Sequence, residues 1–250
     1  MIKTANIIDT LTKMREQSPL VHNITNHVVM NNTANALLSI GASPVMAHEP
    51  AEMEDMVSIA SALVINMGTL SKRWVEAMII AGKKATERGI PVVFDPVGVG
   101  ATQYRREAAQ QIISECKPTI IKGNASEIMA LSNANVESKG VDSSVSSNVA
   151  LDSAKLLAQS TNAVVVVTGK IDYITDGDRV ITISNGSDMM PRVTGLGCTA
   201  TAITGAMASV ENDLMLACVS AMAVMGIAGE MASELPQGPG SLQMNFLDQL

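Results

Sequence analysis

Apolar residues come in two rhythms along this chain, and the rhythms alternate. From residue 4 to 17, Ile7, Ile8, Leu11 and Met14 share one helical face, and Pro19 stops the pattern. A brief strand, Leu20-Val21, then runs into the polar cluster His22-Asn23-Ile24-Thr25-Asn26-His27, with a helix through residues 31–38 that Gly41 ends. Later strands are continuous apolar runs at 44–47, 62–68, 91–96, 119–123 and 163–169. Helical patterns lie between them at 51–60, 72–88, 104–116 and 151–159, with a short helix opened by residues 124–127. Continuous apolar strands separated by helices predict an α/β fold with a mostly parallel sheet buried on both faces. Residues 172–176 and 179–184 flank Gly177-Asp178, which predicts a hairpin and an antiparallel sheet edge. Residues 132–148 have no helical or strand period and read as a loop. Strands resume after it, so the chain reads as one domain over 1–250.

The last third changes character. Residues 193–210 and 214–229 carry no charge and approach the length of a membrane span. Both are studded with small residues, and Asp213 and Glu230 flank the second. They are read as helices buried in a core or a subunit interface. Composition agrees: 250 residues that are 47% hydrophobic and 16% charged suffice for one large core. A net charge of −7 without a Lys/Arg cluster argues against nucleic acid and anionic membranes as partners. With aromatics at 2%, a bound ring is gripped by aliphatic groups and backbone. The cysteines, Cys116, Cys198 and Cys218, are widely spaced, which suggests a reducing compartment and no cysteine zinc site. The first residues have no signal-peptide pattern, and the expected location is cytoplasmic.

In parallel sheets, ligands bind beyond the carboxyl ends of the strands. Candidate residues stand at those ends. Thr194-Gly195-Leu196-Gly197-Cys198 runs into the first uncharged helix, at 199–210. Gly195 and Gly197 let backbone N–H groups crowd one point, and the helix dipole adds positive potential there. That describes an anion site, with Cys198 at its mouth as a thiol of lowered pKa able to act as a base. The structural alternative is a glycine turn before a core helix. Asp95 ends a strand before the glycine-rich loop 97–102, and Lys122 ends the next strand, where it can meet a phosphate. Glu127, three residues past Asn124, can hold Mg²⁺. Thr168-Gly169 offers a hydroxyl and a close backbone approach. Asp95 and Glu127 can instead be turn or helix caps, and Lys122 a snorkelling surface lysine. Asn23 and Asn26, with the histidines, form either a helix-capping turn or a polar rim around a small ligand. His22, His27 and His48 lack zinc spacing. There is no P-loop motif and no Gly-x-Ser-x-Gly elbow. Together these features make a phosphoryl-transfer layout: anion hole, metal carboxylates, cation and base.

The segments Asn23-Ile24-Thr25-Asn26, Pro44-Val45-Met46-Ala47, Asp95-Pro96-Val97-Gly98-Val99-Gly100-Ala101-Thr102, Lys122-Gly123-Asn124-Ala125-Ser126-Glu127, Val167-Thr168-Gly169 and Thr194-Gly195-Leu196-Gly197-Cys198 resemble, in order, the hydroxyethylthiazole kinases. The resemblance implies a ribokinase-like three-layer sandwich. It also implies transfer of the ATP γ-phosphate to the hydroxyl of 4-methyl-5-(2-hydroxyethyl)thiazole, with Mg²⁺. Met46 matches a position lining the thiazole pocket, joined by Asn23 and Asn26, and Gly195 a backbone contact to substrate. Lys122 and Thr168 match ATP-binding positions, with Gly169 and Asn124 beside them. Asp95 and Glu127 match the acids of the metal and phosphate end. The family often has arginine where Lys122 stands, and lysine keeps the charge without the bidentate fork. Cys198, next to Gly197, falls where most of the superfamily has an aspartate base. The resemblance further implies a homotrimer with the thiazole pocket between subunits. Competing expectations are a pyrimidine or pyridoxal kinase of the same superfamily, and a non-catalytic nucleotide-binding regulatory subunit.

Overall fold

A computed structural model describes residues 2–132, 147–234 and 238–250. Its centre is one eight-stranded sheet: β1 (Leu20–Ile24), β2 (Ser43–Val45), β3 (Ala62–Asn66), β4 (Val92–Asp95), β5 (Ile120–Asn124), β6 (Val164–Thr168), β7 (Asp172–Thr175) and β8 (Val180–Ile183). The spatial order is β2-β1-β3-β4-β5-β6-β7-β8. Pairing is parallel from β2 through β6, and β7 and β8 add the antiparallel edge that the hairpin signal predicts.

Side-chain alternation sends two apolar sets to opposite faces. Val64, Val93, Ile120 and Val166 meet α1 (Thr4–Gln17), α2 (Met30–Ile40), α8 (Leu196–Ala208), α9 (Leu214–Ser233) and α10 (Pro239–Asp248). Leu63, Ile65, Phe94, Ile121 and Val165 meet α3 (Met53–Ile59), α4 (Lys72–Arg88), α5 (Gln103–Cys116), α6 (Ala125–Ser132) and α7 (Ser147–Thr161). The result is the expected three-layer sandwich, helices on both faces. Both uncharged runs are core helices. The α9 helix has the length and hydropathy of a span, but 67% of its apolar window is buried inside the molecule.

The α8 helix lies over the middle of the sheet because its residues are small. A Cβ on Gly205 would come within 2.9 Å of Val64 Cγ2 and 3.4 Å of Val21 Cγ1. That packing aims the N-terminus of α8 at the carboxyl ends of β3, β4 and β5. Three details depart from the sequence pattern. The α8 helix starts at Leu196, three residues early, because Gly195 supplies the cap. The acidic helix begins as a 3-10 turn at Pro50–Glu52. The α10 helix was not expected: Pro239 sets its first turn, and Leu242 and Phe246 bury one face four residues apart. Of the expected loop at 132–148, Ser132 closes α6 and residues 147–148 open α7, and residues 133–146 lie outside the described residues.

Candidate active site

The anion site at the start of α8 rests on one glycine. Gly195 caps the helix at φ 89°, and a Cβ there would lie 2.7 Å from Val29 Cγ1, so torsion and space both demand glycine. Gly197 lacks a positive φ, and a Cβ on it would meet nothing within 4 Å. Its service is to leave the space beside the first turn open, not to bend the chain. The first intrahelical bond runs from Thr199 N–H to the Gly195 carbonyl at 2.9 Å. The N–H groups before it have no helical carbonyl, and the positive end of the dipole faces the same point.

Around this turn is an interlocked set of buried polar groups. Lys122 is 2% exposed, so it is not a snorkelling lysine. Its Nζ donates to the Gly197 carbonyl at 2.9 Å, which fastens the middle of the sheet to α8. Asp95 is buried at the end of β4, and its Oδ2 accepts from Asn66 Nδ2 and from Thr201 Oγ1, both at 2.8 Å. Burial pushes its pKa up to about 6; Lys122 pulls it down, and the Glu127 charge adds to the rise. Asn26 Nδ2 donates to Asn66 Oδ1 at 2.8 Å and reaches Cys198 Sγ at 3.5 Å. The Cys198 thiol corrects the expectation of a lowered pKa. Burial, then the Asp95 carboxylate, push it above its ordinary value, and Asn66, Lys122 and Asn26 only partly offset them. Cys198 therefore stays a thiol at neutral pH.

Glu127 sits differently. Its Oε2 accepts from Asn124 N–H at 2.8 Å, while Asn124 Oδ1 accepts from Glu127 N–H at 3.0 Å, which is a reciprocal capping box for α6. Its Oε1 accepts from Gly98 N–H at 3.0 Å. The cap reading is thus realised, and it also ties the glycine loop to β5. Arg105 braces the other side of that loop, its guanidinium donating to the carbonyls of Met67, Gly68 and Val97. Nothing in the sequence singled out Arg105 or Thr201. Nor did it assign a role to Asn66, at the end of β3.

Asp95, Lys122, Asn124, Glu127, Thr168, Gly195, Gly197 and Cys198 line one open pocket of about 270 Å³. Gly169, Met46, Asn23 and Asn26 are not in its lining. The Gly169 N–H donates to Asp172 Oδ1 at 2.9 Å. Asn23 is fully buried in β1, its Nδ2 donating to the Val21 carbonyl and its Oδ1 without a partner among the described residues. Met46 lies just past β2, in a segment whose next residues, Ala47 and His48, both touch the rest of the molecule. His22 Nε2 is 2.9 Å from the Ala47 carbonyl, and the ring of His48 lies 4.8 Å from that of Trp74. His27, next to Asn26, packs against the same Trp74, ring centroids 4.8 Å apart and planes tilted by 51°. The acids in the pocket lining are Asp95 and Glu127. A hard cation that keeps waters and phosphate oxygens needs only one or two protein carboxylates, so this pair fits Mg²⁺.

The sequence profile of the Hydroxyethylthiazole kinase family matches residues 11–250. The chain belongs to this family. It is 55% identical to a hydroxyethylthiazole kinase of Syntrophus aciditrophicus over 238 residues, covering 95% of this chain and 88% of that one. A solved structure of the hydroxyethylthiazole kinase protein from Pyrococcus horikoshii superposes with a TM-score of 0.91 at 43% identity, covering 98% of this chain and 92% of that chain. A ribokinase-like superfamily protein from Enterococcus faecalis shares the fold alone, with a TM-score of 0.64 at 12% identity over 95% of this chain and 87% of that chain. Within the family fold, the pocket lies where parallel sheets place ligands, at the carboxyl ends of β4, β5 and β6.

Proposed function

We propose that this chain transfers the γ-phosphate of ATP to the hydroxyl of 4-methyl-5-(2-hydroxyethyl)thiazole. One observation carries the reading within the family: a buried cation, two carboxylates and a helix N-terminus without a side-chain cap line a single pocket. The substrate hydroxyl oxygen attacks the γ-phosphorus in line, the bond to the bridging oxygen breaks, and ADP leaves. The N–H groups at the start of α8 and the ammonium of Lys122 take up charge on the transferred group. Asp95 and Glu127 would hold Mg²⁺, which supplies further neutralisation of the phosphates when bound. Thr168 and Asn124 stand at the nucleotide end. Cys198, held as a thiol, guides the hydroxyl rather than taking its proton early. In a loose transition state the proton leaves late, passing to an oxygen of the transferred phosphoryl group or to solvent, so a strong base is not required.

The reading extends to a homotrimer with the thiazole pocket at subunit contacts, supported by the exposed Val28 and Leu38 close in sequence to Asn26. It assigns the chain to the cytoplasm, supported by three free cysteines. The test is coupled ADP release with a panel of alcohols. The hydroxyethyl thiazole is expected to be the best acceptor. Faster release with pyridoxal or a hydroxymethyl pyrimidine would move the substrate assignment. No release with thiazole and nucleotide both bound would make the chain a regulatory subunit. Sedimentation at three times the chain mass checks the trimer.

A further inference from the structure

Asn66 closes β3 with its side chain 1% exposed and both of its polar atoms engaged. Nδ2 donates to Asp95 Oδ2 at 2.8 Å. Oδ1 accepts from Asn26 Nδ2 at 2.8 Å and from the Gly68 N–H at 2.9 Å. A carboxylate only accepts, so Asp95 decides which end of the Asn66 amide faces it. The carbonyl end is then left for Asn26, which must answer with its Nδ2. That same Nδ2 reaches Cys198 Sγ at 3.5 Å, while Asn26 Oδ1 accepts from Val28 N–H at 3.1 Å. Gly68 makes room for the arrangement: a Cβ there would lie 2.5 Å from Asn26 Cβ, Cγ and Nδ2. An isolated carboxamide can flip at little cost, but here each flip would set two donors or two acceptors face to face in a buried place.

We propose that Asn66 is a positioning residue: anchored by Asp95, it locks the Asn26 amide so that an N–H, not a carbonyl, faces the Cys198 thiol, which stands beside the bound hydroxyl. The inference rests on the kinase reading for the identity of that hydroxyl. Asn66 itself does not touch the transferred group. It acts through Asn26, whose second N–H holds the Cys198 sulfur in place at the pocket wall.

A double-mutant cycle separates this role from simple fastening of β3 to β4. Asn66→Ala and Asn26→Ala are each expected to lower kcat/KM for the thiazole roughly tenfold, the worth of one well-placed hydrogen bond. The KM for ATP should stay within about twofold of wild type. The double variant should be no worse than the weaker single, because both remove the same oriented N–H. Thr201→Val removes the other donor to Asp95 and should combine additively with Asn26→Ala. Additive losses for Asn66→Ala with Asn26→Ala, or equal coupling at Thr201, overturn the proposal. If Asn66→Ala does not fold, Asn66→Leu keeps the volume and carries the same cycle. Gly68→Ala deletes no polar group, and it is expected to match Asn26→Ala; wild-type kinetics in that variant count against the lock. The rate of Cys198 alkylation by iodoacetamide, followed by mass spectrometry, needs no kinase activity. Asn66→Ala should change it by the same factor as Asn26→Ala, and a wild-type rate overturns the relay. Wild-type protein that phosphorylates no thiazole defeats the kinase reading, and the alkylation result then decides the relay by itself.

Discussion

The two acids of the pocket stand at neighbouring strand ends and live in different worlds. Asp95 is enclosed: 4% exposed, clasped by Asn66 and Thr201, its pKa raised by burial. Glu127 is committed to backbone, one oxygen capping α6 and the other holding Gly98. On the first side a polar side chain depends on other side chains, so its chemistry is tuned by what surrounds it. On the second the carboxylate is a fixture of the chain path, and its chemistry is a by-product of where the cap must sit. Function is thus expected to be more sensitive than fold on the Asp95 side, and fold and function to fail together on the Glu127 side.

The largest effect is expected from Asp95→Asn, which should lower turnover by roughly 10²–10³-fold, the scale for removing one preorganised charge-bearing group; a loss below tenfold would take Asp95 out of the chemistry. The same variant should gain stability. The folded protein holds the Asp95 proton up to about pH 6, against an ordinary value of 3.8, so folding favoured by this group below pH 4 is lost as pH rises through that window. Urea unfolding of the metal-free protein should therefore show Asp95→Asn overtaking wild type between pH 4 and 7, by about 3 kcal/mol. A constant difference across pH would mean the carboxyl is not desolvated. Glu127→Ala should do the opposite, losing about 1–2 kcal/mol with its cap and raising the Mg²⁺ needed for half-maximal rate. Unchanged magnesium titrations would confine Glu127 to the cap. The smallest effect is expected at Cys198→Ala: turnover about tenfold lower with ATP affinity intact, since a protonated thiol guides more than it abstracts. A loss of about 10²–10⁴-fold would restore it as the base.

The sheet was legible because parallel strands announce themselves as apolar runs that stop at a polar residue. Asp95 and Thr168 mark such stops and line the pocket; Lys122, read as a strand end, lies instead in the middle of β5 and reaches the same pocket. The α8 anion site was legible from Gly195, although Gly197 serves the space around the helix and not its backbone. The Cys198 thiol was misread because a helix N-terminus suggests a lowered pKa, while burial and the Asp95 carboxylate, both set by tertiary packing, outweigh it. The role of Asn66 was hidden for a related reason. One asparagine at the end of a strand looks like any other until Asn26 and Asp95, far apart in sequence, are brought to its two ends. The α10 helix was missed because its Pro-Gly-Ser start reads as a turn, and its two buried residues have meaning only against α9 and α2.

The ring cluster of His27, Trp74 and His48 has an optical consequence. Trp74 is the only tryptophan in the chain, and the two imidazoles on it belong to the segments that carry Asn26 and Met46. Indole emission from this protein is therefore a single-site signal, taken at the place where those two segments meet. A ligand that shifts either segment alters the contact between an imidazole and the excited ring, and so registers in the emission without any label. If the proposed function holds, that place is the thiazole end of the site, and the chain carries its own binding signal for it.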